Sequence, residues 1–331
     1  MKKILILLLC LFMLTGCYNY IELDELAVVS SILIDYKDDA YKVNVEVYSK
    51  EDTVEVFESS GTSLTESFTI AEEMSKQKFY FRHINAVMIT DNVNVEDIIY
   101  YFFRNPDTND NFAFVYTNAE KIYEDDEVNI GELIKNNIED DDLCSFFEIM
   151  KGYINKLRDI ALPMFDGKKM GGIKAYKMLE PKEEFSSKEE EIFKVLKNKY
   201  DGILHINCGD KDAIINIDSI DTKYNIEEAK IKIKVKLKTS IQEMNCDLDI
   251  TKVSDLKKLE RMAEKDLNED IHKFMGTLKE NESDILGINT LIRNKYKKLD
   301  KMFNDYDYEA KADISIYKKG LLLKWKKSLT C

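Results

Sequence analysis

From Ala229 to Lys238 the chain alternates strictly. Ala229, Ile231, Ile233, Val235 and Leu237 are apolar, and each residue between and after them is lysine, from Lys230 to Lys238. A period of two puts the apolar set on one face of an extended chain and the lysines on the other, so this stretch is a strand with one buried side. Its lysine face must be solvated or paired with acids. From Val253 the period changes. Leu256, Leu259, Ala263, Leu267, Ile271, Phe274 and Leu278 recur at steps of three and four with charged residues between them. That spacing predicts a long amphipathic helix, with Gly276 weakening its last turns. After Asn281-Glu282-Ser283-Asp284 a shorter helix carries Ile288, Leu291, Ile292 and Leu299, and Ala310, Ala312, Ile314 and Ile316 then alternate as a closing strand. Two helices on an antiparallel sheet are the simplest architecture for this end.

Earlier segments are shorter. Glu25 to Ile34 reads as a buried strand, and in Tyr41 to Tyr48 the inward Val43, Val45 and Val47 alternate with Asn44, Glu46 and Tyr48, which predicts one buried and one wet face. A turn and helix are expected over Gly61 to Lys78, a buried strand over Asn85 to Thr90, a helix over Val95 to Phe103, an extended segment over Phe112 to Tyr116, and a short helix from Asn118. Phe165-Asp166-Gly167 and Gly171-Gly172 break the backbone and mark a boundary. Beyond it come a strand from Ile173 to Tyr176, a helix from Ser187 to Lys197 opened by Ser186 or Ser187, and a strand from Gly202 to Ile206. This order is α+β, not a regular βαβ series. The expected organisation is three α+β domains, with antiparallel or mixed sheets and packed helices, over 17–165, 166–222 and 223–331.

The first residues pass from Lys2-Lys3 into an unbroken apolar run, Ile4 to Leu14, closed by Thr15-Gly16-Cys17. As a helix that run would span only roughly 16 Å, about half the hydrocarbon of a bilayer, so it has the order of a secretory signal and not of a membrane span. Leu14-Thr15-Gly16-Cys17 is a lipobox. Small residues admit the peptidase, and the thiol takes up diacylglycerol. Cleavage between Gly16 and Cys17, removing 1–16, leaves an N-palmitoyl, S-diacylglycerol cysteine as the first residue. One acyl chain holds a protein marginally, whereas two chains make the attachment to the outer face of a membrane stable.

The formal charge is −14 at pH 7, and losing Lys2 and Lys3 with the signal makes it more negative still. Such a chain does not bind nucleic acid or anionic lipid through bulk charge. The lysine row of 230–238 is the ordinary means of keeping a sheet face soluble. Four cysteines remain beside Cys17: Cys144, Cys208, Cys246 and Cys331, widely spaced and without a CxxC. They are expected as free thiols, with a single bridge as the alternative.

A search for chemistry yields little. His83, His205 and His272 have no second histidine at metal-ligand spacing, and HExxH, GxSxG and phosphate-loop patterns are missing. Asp107-x-Asn109-x-Asn111 imitates the opening of a calcium loop, but Phe112 stands where glycine is needed and Asn118 where the bidentate glutamate belongs. It reads as a polar turn, and the acidic run Glu139 to Asp142 as a solvated loop. No catalytic residue, metal site or cofactor is expected, and no enzymatic activity.

Glu22 to Ala27 after the lipobox, Gly172 to Lys177 and Asp284 to Gly287 are, among other stretches, similar to segments of the Ger(x)C family of spore germination lipoproteins, the C subunits of nutrient germinant receptors. After the lipobox, Glu22-Leu23-Asp24-Glu25-Leu26-Ala27 leads to a strand ending in Ile34-Asp35, although Tyr18-Asn19 stands where the family usually shows Trp-Asp. Phe81-Arg82-His83 before Ala86 to Ile89, Phe103-Arg104, and Gly172-Ile173-Lys174-Ala175-Tyr176-Lys177 resemble family segments, the last without the usual continuation. So do Ser240-Ile241-Gln242-Glu243, Leu259-Glu260, Asp284-Ile285-Leu286-Gly287, Arg293-x-Lys295-Tyr296 and the final strand before Gly320. The resemblance implies a three-domain α+β protein on the inner spore membrane, working with integral-membrane A- and B-type receptor subunits. It brings no catalytic residue, so Cys17 alone carries over as a functional position. Two other classes share this N-terminus: a solute-binding lipoprotein of a transporter, built of two similar α/β lobes, and a surface hydrolase.

Overall fold

The computed structural model describes residues 25–49, 53–109, 111–118, 122–123, 128–138, 145–298 and 300–318. The signal, Cys17, residues 119–121 and 124–127 of the stretch that follows Asn118, the run 139–142, Cys144, Leu299, Gly320 and Cys331 lie outside them.

The chain opens as a meander. β1 (Leu26–Lys37), β2 (Ala40–Tyr48) and β3 (Val54–Gly61) pair antiparallel. Asp38 and Asp39 both take positive φ, 57° and 60°, in the two-residue turn between β1 and β2, where the twist of the strands demands it. α1 (Leu64–Ser75) starts at Ser63, whose hydroxyl accepts from the Glu66 N–H. A short β4 (Lys78–Tyr80) runs beside the start of β1. Next come β5 (Ala86–Ile89), α2 (Val95–Arg104), β6 (Ala113–Tyr116), α3 (Ile130–Asn137), α4 (Phe146–Asn155) and β7 (Ile160–Phe165). β1, β5, β6 and β7 are parallel, and β8 (Met170–Lys177) and β9 (Glu180–Phe185) close the sheet antiparallel, in the order β3-β2-β1-β5-β6-β7-β8-β9.

The parallel centre goes beyond the irregular α+β order read from the sequence, and its physical basis is double coverage. Val87, Ile89, Phe114 and Tyr116 face a core shared with Phe68, Phe102 and Phe146 of α1, α2 and α4. Their neighbours Ala86, Met88, Ala113 and Val115 face a smaller core under Ile130 and Ile134 of α3. A strand buried on both sides is a short apolar run without alternation. The same coverage corrects the wet face expected of β2. Glu46 is fully buried, because α3 docks over it. Its carboxylate accepts from Ile130 N at 2.7 Å, Gly131 N at 3.0 Å and Ser31 Oγ at 2.8 Å. A negative group at a helix N-terminus is favourable, yet burial outweighs these donors and raises the Glu46 pKa. A Cβ on Gly131 would come 2.4 Å from Ser30 Oγ and 2.6 Å from the Ser30 carbonyl oxygen, so glycine permits the approach.

The second sheet has the order β10-β11-β12-β13, built from β10 (Ile203–Asn207), β11 (Asp212–Ile226), β12 (Lys230–Met244) and β13 (Asp307–Lys318). Ile231, Ile233, Val235 and Leu237 are buried, while Lys232, Lys234, Lys236 and Lys238 are exposed. Lys230 and Lys232 pair with Glu309 at 3.4 Å and Glu227 at 2.8 Å. The closing strand β13 is parallel to β12, not antiparallel as expected. α6 (Val253–Glu280) and α7 (Ile288–Tyr296) lie between them in the chain and return it to the end where β12 began, the crossover a parallel pair requires. α6 runs through Gly276 and buries Leu256, Leu259, Ala263, Leu267, Ile271, Phe274, Met275 and Leu278. It also covers the outer edge of β13: Glu260, Glu264 and Asn268 accept from the backbone N–H groups of Ile316, Ile314 and Ala312 at 2.9, 3.2 and 2.8 Å. An edge occupied in this way is closed to another chain.

The two sheets meet at β8. Tyr176 packs with Ile160 and Leu162 in the first core, whereas Ile173 and Ala175 join the core of the second sheet together with Phe185 and α5 (Ser187–Leu196). Of the two possible starts for α5, Ser186 is the cap, in a reciprocal capping box with Glu189. Cys208 and Cys246 form a disulfide, Cα to Cα 5.8 Å, which corrects the expectation of free thiols. The two lie 38 residues apart in sequence, and only the pairing of β10, β11 and β12 brings them within bonding reach.

Candidate functional site at the junction of the sheets

The segment that joins α4 to β7 carries Arg158 and Asp159, and both face the loop 281–287 that joins α6 to α7. Asp159 Oδ2 accepts from Asp284 N at 2.7 Å, and the Asp284 carbonyl accepts from Asp159 N at 3.3 Å. Asp284 in turn opens α7: its two carboxylate oxygens accept from Ile288 N at 2.7 Å and Asn289 N at 2.8 Å. Asn289 Oδ1 accepts from Phe303 N at 2.7 Å, tying the stretch before β13 to the same point. Gly287 has φ 76°, and a Cβ there would meet Arg158 Cδ at 3.0 Å, so both backbone and space require glycine. Lys177, at the end of β8, donates to the Glu282 carbonyl at 3.1 Å, and Lys197, just after α5, to the Leu286 carbonyl at 3.5 Å. Three parts of the chain thus hold one loop.

Electrostatics at this junction are tense. Burial pushes the Asp284 carboxyl up to about 7, against three backbone N–H donors that favour its charge, and nearby Asp159 adds to the rise. Asp159 is raised too, again first by burial. On the cationic side Glu148 of α4 serves both Lys151 and Arg158, the latter at 3.4 Å. Burial, with the Arg158 charge second, lowers Lys197 to about 8. Arg158 lines three adjoining cavities of about 370, 330 and 220 Å³.

The residues singled out from the sequence fall unevenly on this geometry. Asp284-Ile285-Leu286-Gly287 is the loop itself. Arg158, Asp159 and Lys197 carry no motif, and only the fold brings them to it. His83, His205 and His272 are exposed and far apart in the fold's elements. Asn105 Oδ1 accepts from Asp107 N and Asn109 Oδ1 from Asn111 N, at 3.0 and 3.1 Å, contacts typical of asparagine-led polar turns. Among the described residues no group of three His, Cys, Asp or Glu side chains could hold a metal ion, and no helix is long and apolar enough to cross a membrane. Cys17 lies outside the described residues.

Residues 19–166 match the family described as spore germination protein N-terminal domain, and residues 173–320 match spore germination B3/GerAC like, C-terminal. The chain belongs to the Ger(x)C family of spore germination proteins. Spore germination protein KC of Bacillus subtilis (strain 168) is 25% identical over 127 residues, which are 34% of this chain and 31% of that protein, so the alignment spans about a third of the relative's length. The crystal structure of the GerBC protein superposes with a TM-score of 0.55 at 15% identity, covering 86% of this chain and 96% of that one, a shared fold. The boundary between the two Ger(x)C matches falls at the hairpin of β7 and β8, where the two cores also exchange.

Proposed function

We propose that this Ger(x)C chain is the lipid-anchored C subunit of a nutrient germinant receptor, acting in spore germination by docking on integral-membrane A- and B-type subunits and not by catalysis. In this reading the signal 1–16 is removed and Cys17, carrying palmitoyl and diacylglycerol, holds the protein on the outer face of the cell membrane, the inner membrane of the spore. The observation that carries it is the pair of family matches, which together run from 19 to 166 and from 173 to 320. The Cys208–Cys246 disulfide fits a location outside the reducing cytoplasm. Seven residues separate Cys17 from Glu25, so the anchor keeps the first sheet within roughly 28 Å of the lipid surface.

For the docking surface we assign helices α2 and α4, which touch through Tyr100 and Tyr153, whose hydroxyls lie 3.1 Å apart. They present Phe103 and Ile154, 68% and 69% exposed, with Tyr100 and Phe147 beside them. Large apolar side chains left in water on two touching helices suit an interaction site. The two sheets differ in topology, which speaks against the paired lobes of a solute receptor. Fractionation and co-purification test the reading. Cys17→Ala is expected to release the protein from the membrane and from its receptor partners, and unchanged retention and assembly would show that the lipid is not the tether.

A further inference from the structure

Of the three cavities that Arg158 lines, the one of about 370 Å³ is the size of a small-molecule site. Lys151, Arg158, Lys197 and Lys199 line it, against two carboxylates, Glu148 and Asp159. Both carboxylates are engaged. Glu148 already serves Lys151 and Arg158, and Asp159 accepts from Asp284 N. Lys197 is the cation left over. Its ammonium makes a single hydrogen bond, to the Leu286 carbonyl at 3.5 Å, the outer limit for such a bond, and among the described residues no carboxylate forms an ion pair with it. A partly buried cation that pairs with no carboxylate among the described residues is a place where an arriving anion replaces lost solvation. Phe147, Phe193 and Ile285 give the same cavity an apolar wall.

We propose that this cavity binds a small molecule bearing a carboxylate or phosphate group, whose anionic oxygens pair with Lys197 and Arg158 between α4 and the 284–287 loop. Such a ligand bridges the two sheets, because Arg158 belongs to the first and Lys197 and the loop to the core of the second. The site does not depend on the lipid anchor, and it shares Phe147 with the docking face of α4. Lys197 faces Arg158, Glu148 and Lys151 from the α4 side, Lys199 from its own turn, Asp159 before β7 and Asp284 of the loop. Its lowered pKa, near 8, means that an anion bound above that pH must draw a proton onto Nζ.

The test uses the full mature chain in uncharged detergent, with thermal unfolding followed in sodium phosphate, sodium acetate and sodium chloride at equal ionic strength and pH 7.5. A saturable rise in Tm is expected with phosphate, acetate or both over chloride. Phosphate alone assigns a phosphate-bearing ligand, and acetate alone a carboxylate. Lys197→Met should weaken the response at least tenfold, whereas Lys168→Met, on an exposed turn, should leave it intact. Raising the pH from 7.5 to 9.5 should weaken binding about tenfold or more. No saturable response to either anion, or an undiminished one in Lys197→Met, overturns the proposal. Should Lys197→Met fail to fold, Lys197→Gln takes its place, and an undiminished response in that variant overturns the proposal equally.

Discussion

The two sheets bury comparable apolar strands by different means. In the second sheet helices α5, α6 and α7 share the core on one face, and the other face of β12 stays in water with its lysines. In the first sheet helices cover both faces of the centre, so β5 and β6 are buried at every position and Glu46, on the polar side of β2, has no water at all. A charged residue on a strand therefore means solubility in one sheet and a helix cap in the other. What lies over the strand decides, not the strand's own pattern.

The comparison can be broken by measurement. Largest should be the loss of the Cys208–Cys246 bridge, which staples the second sheet across a sequence separation of 38. Cys246→Ser or reduction should cost about 4 kcal/mol by loop-closure entropy, read as a fall in denaturation midpoint. Next, Glu46→Ala leaves the N–H groups of Ile130 and Gly131 and the Ser31 hydroxyl without their acceptor. It should cost about 2–3 kcal/mol in urea unfolding, and a value near zero would mean that α3 does not depend on this carboxylate. Glu264→Ala frees one edge N–H of β13, for about 1 kcal/mol, with concentration-dependent association as a second readout. Lys236→Ala, on the wet face, should change stability by less than about 0.5 kcal/mol.

Glu46 under α3 and Asp284 at the junction are buried acids on the two sides of the molecule, and both titrate above the usual carboxylate range. The folded pKa of Asp284 is raised to about 7 and that of Glu46 is raised as well, both first by burial. The native state then holds protons that the unfolded chain has released. Stability from these groups is complete below their unfolded pKa and is lost as pH rises through the folded value. Stability is expected to fall from about pH 4 to about pH 7. Asp284→Asn should flatten the upper part of that slope and Glu46→Gln should reduce it as well, in chemical denaturation across a pH series. A slope unchanged in both would mean that these acids are charged in the native protein.

Legibility followed the same divide. The alternation of 229–238, the three- and four-residue steps from Leu256 to Leu278, and Ser186 with Glu189 are local signals, and each became the element it announced. Short apolar runs such as 86–89 and 113–116 announced strands but not their neighbours, because a doubly covered strand has no period to read. At the junction Asp284 to Gly287 stood out through resemblance. Arg158 and Lys197 did not, since a lone basic residue in sequence is indistinguishable from a solvated one.

By itself the sequence determined the amphipathic elements, the α+β class and the likeness to the Ger(x)C family, because these rest on side-chain order along the chain. Tertiary structure alone decided that β13 runs parallel to β12, that Cys208 meets Cys246, that Glu46 is dry, and that Arg158, Asp159, Lys197 and Asp284 share one junction. Each of these depends on which distant segment lies opposite, and the period of a strand or helix says only which side is covered, never by what.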